Sequence, residues 1–174
     1  MKRAEDWEGS LGQLIGGYQY QPELTECLDA LGSRPFTQDV INEIVLWKVN
    51  RYAKLSEDAL AALNSVRDIQ PKSHRKAEEA LTILLREPGV DLPMASTLLR
   101  FRNPKAFQII DRHAYRAVYG EDYPLYSSSG DSAKLVLYFD YLDALFDLVE
   151  NKTVKFDILD RVLYIFDKQV NGKL

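Results

Sequence analysis

The chain has one cysteine, Cys27, and two histidines, His74 and His113. A lone cysteine forms no internal disulfide, and so few soft ligands exclude the usual zinc and iron–sulfur sets; no metal site is expected. Leu24, Leu28 and Leu31 share a helical face with Cys27, which reads as a small buried apolar residue. Long hydrophobic runs are also missing, and nothing approaches the roughly 18–20 apolar residues that span a bilayer. The first ten residues, MKRAEDWEGS, carry charge without an apolar segment behind them, which argues against a secretory signal. The expectation is a cytoplasmic monomer with no membrane partner. Sustained period-2 alternation is absent, as are 20–50-residue repeats and low-complexity tracts, so neither a half-exposed sheet nor a solenoid is expected.

What is present is a helical pattern. With 174 residues, 46% of them apolar, the chain can bury a core as one compact domain of one or two lobes. Residues 1–21 are diluted by Gly9, Gly12, Gly16 and Gly17. Leu24, Cys27, Leu28 and Leu31 then give helical spacing, with Gly32 as the stop. Thr37 caps the next helix, whose stripe of Val40, Ile41, Ile44, Val45 and Val49 is broad enough for a central position. Ser56 opens a third helix, with Leu60 and Leu63 inward. Ala77, Ala80, Leu81, Leu84 and Leu85 mark a fourth, ended by Pro88-Gly89. Pro93 suits the first turn of a fifth, with Met94, Leu98, Leu99 and Phe101 as its apolar side. Asp111 opens a short helix that stops at Gly120. A loop follows over 121–130. Two helices close the chain, one with Leu135, Tyr138, Phe139, Leu142, Leu145, Phe146 and Val149 inward. The other uses Phe156, Leu159, Val162, Leu163, Phe166 and Val170. The fold class is all-α, a bundle of seven or eight helices.

The net charge is −4, which argues mildly against a nucleic-acid partner. Its distribution is uneven: residues 32–116 are net +4 and the flanks net −8. Arg100, Arg102, Lys105, Arg112 and Arg116 surround a single acid, Asp111. A local positive field recruits phosphates even in an acidic protein, because the Debye length is only about 8 Å in physiological salt. Solvated surface arginines would give the same pattern.

The stretch from Leu84 to Ala95, LLREPGVDLPMA, resembles the turn of helix-hairpin-helix proteins. Such a turn aims unpaired backbone N–H groups at a phosphate and reads no base sequence. Ile109-Ile110-Asp111-Arg112-His113 resembles the Val-Asp-Thr-His segment of the helix-hairpin-helix base-excision DNA glycosylases. Pro93 and Asp111 are eighteen residues apart, matching the endonuclease III-like spacing. The resemblance covers residues 73–120, and the helix 37–50 more weakly.

It implies a small, divergent, monofunctional glycosylase that binds double-stranded DNA, associates with the nucleoid if active, and releases a damaged or modified base. Asp111 would be the catalytic carboxylate, stabilising oxocarbenium character on the sugar and orienting water. Without the resemblance, Asp111 reads as a helix N-cap, and both roles fit one residue. Pro88, Gly89, Val90, Asp91, Leu92 and Pro93, with Arg75, Lys76 and Arg112, would contact DNA. Glu43 stands near the place of a base-protonating glutamate, with Trp47, Lys48, Asn50 and His113 around the pocket. An exposed helix glutamate and a core tryptophan explain Glu43 and Trp47 equally. His113 also reads as orienting its helix or packing in the core.

Three departures bear on this. Pro93 occupies the position of the Schiff-base lysine, which excludes lyase chemistry there. Asp91 replaces a turn glycine; a φ above zero is open to aspartate, but its carboxylate repels a phosphate unless a cation, such as a monovalent ion at the hairpin, intervenes. The four-cysteine cluster of many relatives is absent, so no iron–sulfur cofactor is expected. The alternative is a catalytically inactive relative serving DNA binding or protein contacts, which the acidic charge and Asp91 favour.

Overall fold

The computed structural model describes residues 15, 21–32, 35–49 and 53–172. Among them are eight α-helices and no strand, so the chain is all-α. It divides into two compact units, residues 1–53 and 54–174. No helix among the described residues is long and apolar enough to cross a membrane.

The N-terminal unit holds α1 (Pro22–Asp29) and α2 (Gln38–Lys48). Thr37 caps α2, its hydroxyl accepting from the Val40 N–H. The Trp47 indole donates to Thr25 Oγ1 at 2.9 Å, and Gln21 donates to the Trp47 carbonyl at 2.9 Å, so tryptophan pins the two helices together. Two readings are corrected here. Cys27 is exposed, and Leu24 is the buried residue of α1. The stripe on α2 contains no buried residue, and Ile41, Val45 and Val49 are exposed. Among the described residues, the α1–α2 seam covers less than the whole stripe. The segment 1–14 and Asn50 lie outside the described residues.

The second unit contains α3 (Glu57–Ser65), α4 (Glu78–Leu85), α5 (Leu92–Arg102), α6 (Arg112–Tyr119), α7 (Asp131–Asn151) and α8 (Leu159–Val170). A 3₁₀ turn, His74–Ala77, leads into α4, and another, Phe156–Ile158, leads into α8. Ser56 caps α3 as its sequence position suggests, and the Glu87 carboxylate accepts from both its N–H and its hydroxyl. The predicted stripe of α4 is buried throughout. That of α7 supplies Tyr138, Phe139, Leu142 and Leu145 to one continuous core with Leu81, Leu84, Leu99, Phe107 and Ile110, and buries Phe146 between His74 and Phe156. α3 packs mainly on α4, and α6 on α8.

Three apolar faces differ from their sequence reading. Leu60 is exposed, and Ala59 fills the α3 contact. On α5, Leu92, Ala95 and Leu99 are buried, whereas Met94 is on the surface and Phe101 is 67% exposed. On α8, Val162, Phe166 and Val170 are exposed, and the inward positions hold Asp160 and Asp167 beside Leu159 and Leu163. Both acids have cationic partners inside, which compensates their burial: Arg100 lies 3.2 Å from Asp160, and Arg116 grips Asp167 at 2.8 Å through two nitrogens. Helical periodicity counts such positions as solvent-facing because it sees polarity and not partners.

Candidate functional site

Asp111 sits where a buried irregular segment becomes α6. That segment, 103–110, is held by side chains. Buried Asn103 donates to the carbonyls of Val66 and Ile69, both at 2.9 Å. The phenols of Tyr138 and Tyr141 donate to the carbonyls of Gln108 and Ile109. Gln108 donates to the Pro104 carbonyl and accepts the Asp160 N–H. Ser96 spans two elements: its hydroxyl donates to the Pro93 carbonyl at 2.9 Å and accepts the Ile110 N–H at 3.2 Å. Buried backbone groups without a ladder are thereby satisfied, as burial requires. The result is a rigid lead-in that fixes where Asp111 emerges.

Asp111 caps α6 by accepting the Ala114 N–H on Oδ1 at 2.7 Å. Its Oδ2 accepts no hydrogen bond from a described residue. The half-buried side chain borders two hollows. One, about 390 Å³, is lined by Asp91, Pro93, Asp111, Arg112, Tyr123, Leu125, Tyr126 and Ser127. The other, about 240 Å³ and mostly apolar, is bounded by Ile109, Ala114, Asp160 and Tyr164.

The turn before α5 is built differently from its sequence reading. Gly89 takes the positive φ, +79°. Asp91 has φ −106° and caps α5, accepting the Leu92 N–H at 2.7 Å. The left-handed residue is thus the one glycine that the turn still has. Val90 and Leu92 are buried, so their side chains anchor the turn and face no partner, whereas Pro88, Gly89 and Pro93 are exposed. The Val90 N–H closes on the Glu87 carbonyl. The N–H groups of Gly89, Asp91 and Met94 meet no acceptor among the described residues.

Asp91 is not an isolated charge. Buried Lys134, in the first turn of α7, forms an ion pair with Asp91 Oδ1 at 2.8 Å and donates to the Ser127 carbonyl at 3.0 Å. The cation that sequence reasoning asked of the solvent is available from the chain. Tyr123 packs edge-on against Tyr115 in the cleft wall. Burial, with the nearby Asp91 carboxylate, pushes its phenol up to about 12, so it remains a hydrogen-bond donor at neutral pH.

The remaining candidates fall elsewhere or carry other duties. Arg112 is exposed on the cleft. Arg75 bonds to Asp140 and Asp143 on α7. Lys76 is exposed on a separate α3–α4 groove. His113 lies 2.7 Å from Asp167 and packs edge-on to Tyr164. Glu43, Trp47 and Lys48 belong to α2 of the other unit. Of the basic stretch around Asp111, Arg100 pairs with Asp160, Arg102 bonds to Asn64, and Arg116 is spent on Asp167 and the Gly172 carbonyl. Lys105 and Arg112 are its exposed cations.

Lys134, Ser96 and Tyr123 were missed from the sequence. A signal existed for Lys134, which falls one helical turn before Tyr138 on the apolar face of α7, where a lysine needs an internal acceptor. No group of three or more His, Cys, Asp or Glu among the described residues is arranged to hold a metal. Comparison of the chain with family models, with curated proteins and with solved structures finds no match.

Proposed function

We propose that the protein grips duplex DNA at the turn 88–93 and hydrolyses the N-glycosidic bond of a damaged or modified base, with Asp111 as the catalytic carboxylate. The observation that carries this reading is the placement of Asp111. Its side chain, with one oxygen that accepts no hydrogen bond from a described residue, borders the same cleft as Asp91 and Pro93 of the turn.

The chemistry follows from those groups. The target nucleotide leaves the stack, because its glycosidic bond is out of reach inside the duplex. As the bond to the base lengthens, positive charge grows on the sugar. A fixed carboxylate stabilises that charge without reorganising and orients the attacking water. Pro93 brings no amine, and the Lys134 amine is held in an ion pair with Asp91 and a hydrogen bond to the Ser127 carbonyl. The product is therefore an abasic site in an uncut strand. Tyr126, 76% exposed on the cleft, offers a ring face on which a base can stack.

The test is a panel of duplexes, each with one altered base, scored for abasic sites. The wild type releases at least one base, and Asp111→Asn releases it at least about 10²-fold more slowly, the scale of losing a key electrostatic contact. Failure on every duplex, or undiminished release by Asp111→Asn, rejects the assignment. A second reading, a non-catalytic binding module, is favoured by the internal use of Arg100, Arg102 and Arg116, which leaves few cations for DNA. Under that reading the wild type releases nothing from any duplex.

A further inference from the structure

We infer that Lys134 is a positioning residue for anion binding: it cancels the Asp91 carboxylate so that the turn 88–93 can receive a phosphodiester. The inference rests on the DNA-binding reading above and extends it to a residue on a different helix.

An anion that approaches the N–H groups of Gly89, Asp91 and Met94 also meets the Asp91 side chain, which is 41% exposed. Unpaired, that carboxylate would oppose the partial positive charge of the amides and of the α5 N-terminus. Asp91 cannot withdraw, because its Oδ1 caps α5 through the Leu92 N–H. Lys134 meets it from behind. Its side chain is only 7% exposed, and its amine contacts the same Oδ1 at 2.8 Å. The amine therefore lies on the protein side of Asp91 and leaves the outer side of the turn open. The same amine holds the Ser127 carbonyl, and Ser127 lines the cleft. One cation thus sets the charge of the turn and holds a second residue that lines the cleft with Asp111.

The experiment measures affinity for an undamaged duplex across a salt series, with the full chain and with folding checked by circular dichroism. Wild type binds at low salt, and affinity falls as salt rises. Lys134→Met should bind at least tenfold more weakly at low salt. The double variant Asp91→Asn/Lys134→Met should return to within threefold of wild type, since asparagine keeps the cap and removes the charge. Loss of a purely structural lysine would not be rescued by removing its partner. Asp91→Asn alone should bind at least threefold tighter, and this arm decides the matter if Lys134→Met does not fold. Unchanged affinity in Lys134→Met, no rescue in the double variant, or no gain in Asp91→Asn overturns the role of Lys134 and leaves DNA binding standing. Absence of wild-type binding at low salt removes the DNA-binding reading itself, and this inference with it.

Discussion

At the scale of single residues, the proposal gives Asp111 two jobs, one in the fold and one in catalysis. Oδ1 closes the first turn of α6, Oδ2 accepts no hydrogen bond from a described residue, and the side chain borders the cleft. The two roles separate by substitution. Asparagine is as good an N-cap as aspartate, whereas alanine forfeits about 1 kcal/mol. Asp111→Asn should therefore melt close to wild type while losing base release, and Asp111→Ala should lose both. A melting scan beside the abasic-site assay checks this. An Asp111→Asn variant that melts as low as Asp111→Ala would place both oxygens in the fold. Cap and turn chemistry are local, so Asp111, Gly89 and Pro93 could be located in the sequence. Asp91 was read less well, because its partner comes from 43 positions further along the chain. Cys27 and Leu60 show the same limit for apolar residues, since helical spacing marks a face without saying whether anything covers it.

At the scale of elements, the site depends on α5 and the 103–110 segment moving as one body. Ser96 is the link, bonding to the Pro93 carbonyl at one end and the Ile110 N–H at the other. Ser96→Ala leaves that buried N–H unsatisfied, which costs about 1–3 kcal/mol. Chemical denaturation should show a loss in this range, together with slower base release. A neutral Ser96→Ala would mean that the lead-in is held by Tyr138, Tyr141 and Gln108 alone. The helices themselves were legible, because caps at Thr37, Ser56 and Asp111 and the stop at Gly120 are written locally, although α1 ends at Asp29, ahead of Gly32. The inward face of α8 was not. Asp160 and Asp167 are buried only because Arg100 and Arg116 reach them from α5 and α6.

At the scale of the whole molecule, a buried histidine and a buried aspartate contribute to the response to acid. His74 is enclosed by Phe139 and Phe146, with Asp143 at 3.1 Å and Arg75 alongside. Burial lowers its pKa below 6.5, outweighing the pull of Asp143. The unfolded chain then binds the proton more readily, so this contribution to stability is lost as pH falls through about 6.5 towards the folded value. Asp167 behaves as a carboxylate held far below its usual range, chiefly by the Arg116 hydrogen bonds. Its contribution is present above the unfolded pKa near 3.8 and disappears as pH falls below it. Melting temperature should therefore decline in two stages on acidification, and His74→Gln should flatten the upper one; a single stage in the wild type would remove His74 from the account. The central claim is that Asp111 faces a place where a sugar becomes cationic. Its most direct measurement compares a duplex bearing a positively charged pyrrolidine in place of one deoxyribose with one bearing neutral tetrahydrofuran. A site complementary to the transition state binds the charged mimic at least about 10²-fold tighter, and Asp111→Asn should abolish the difference. Equal affinity of the wild type for the two duplexes would contradict the account.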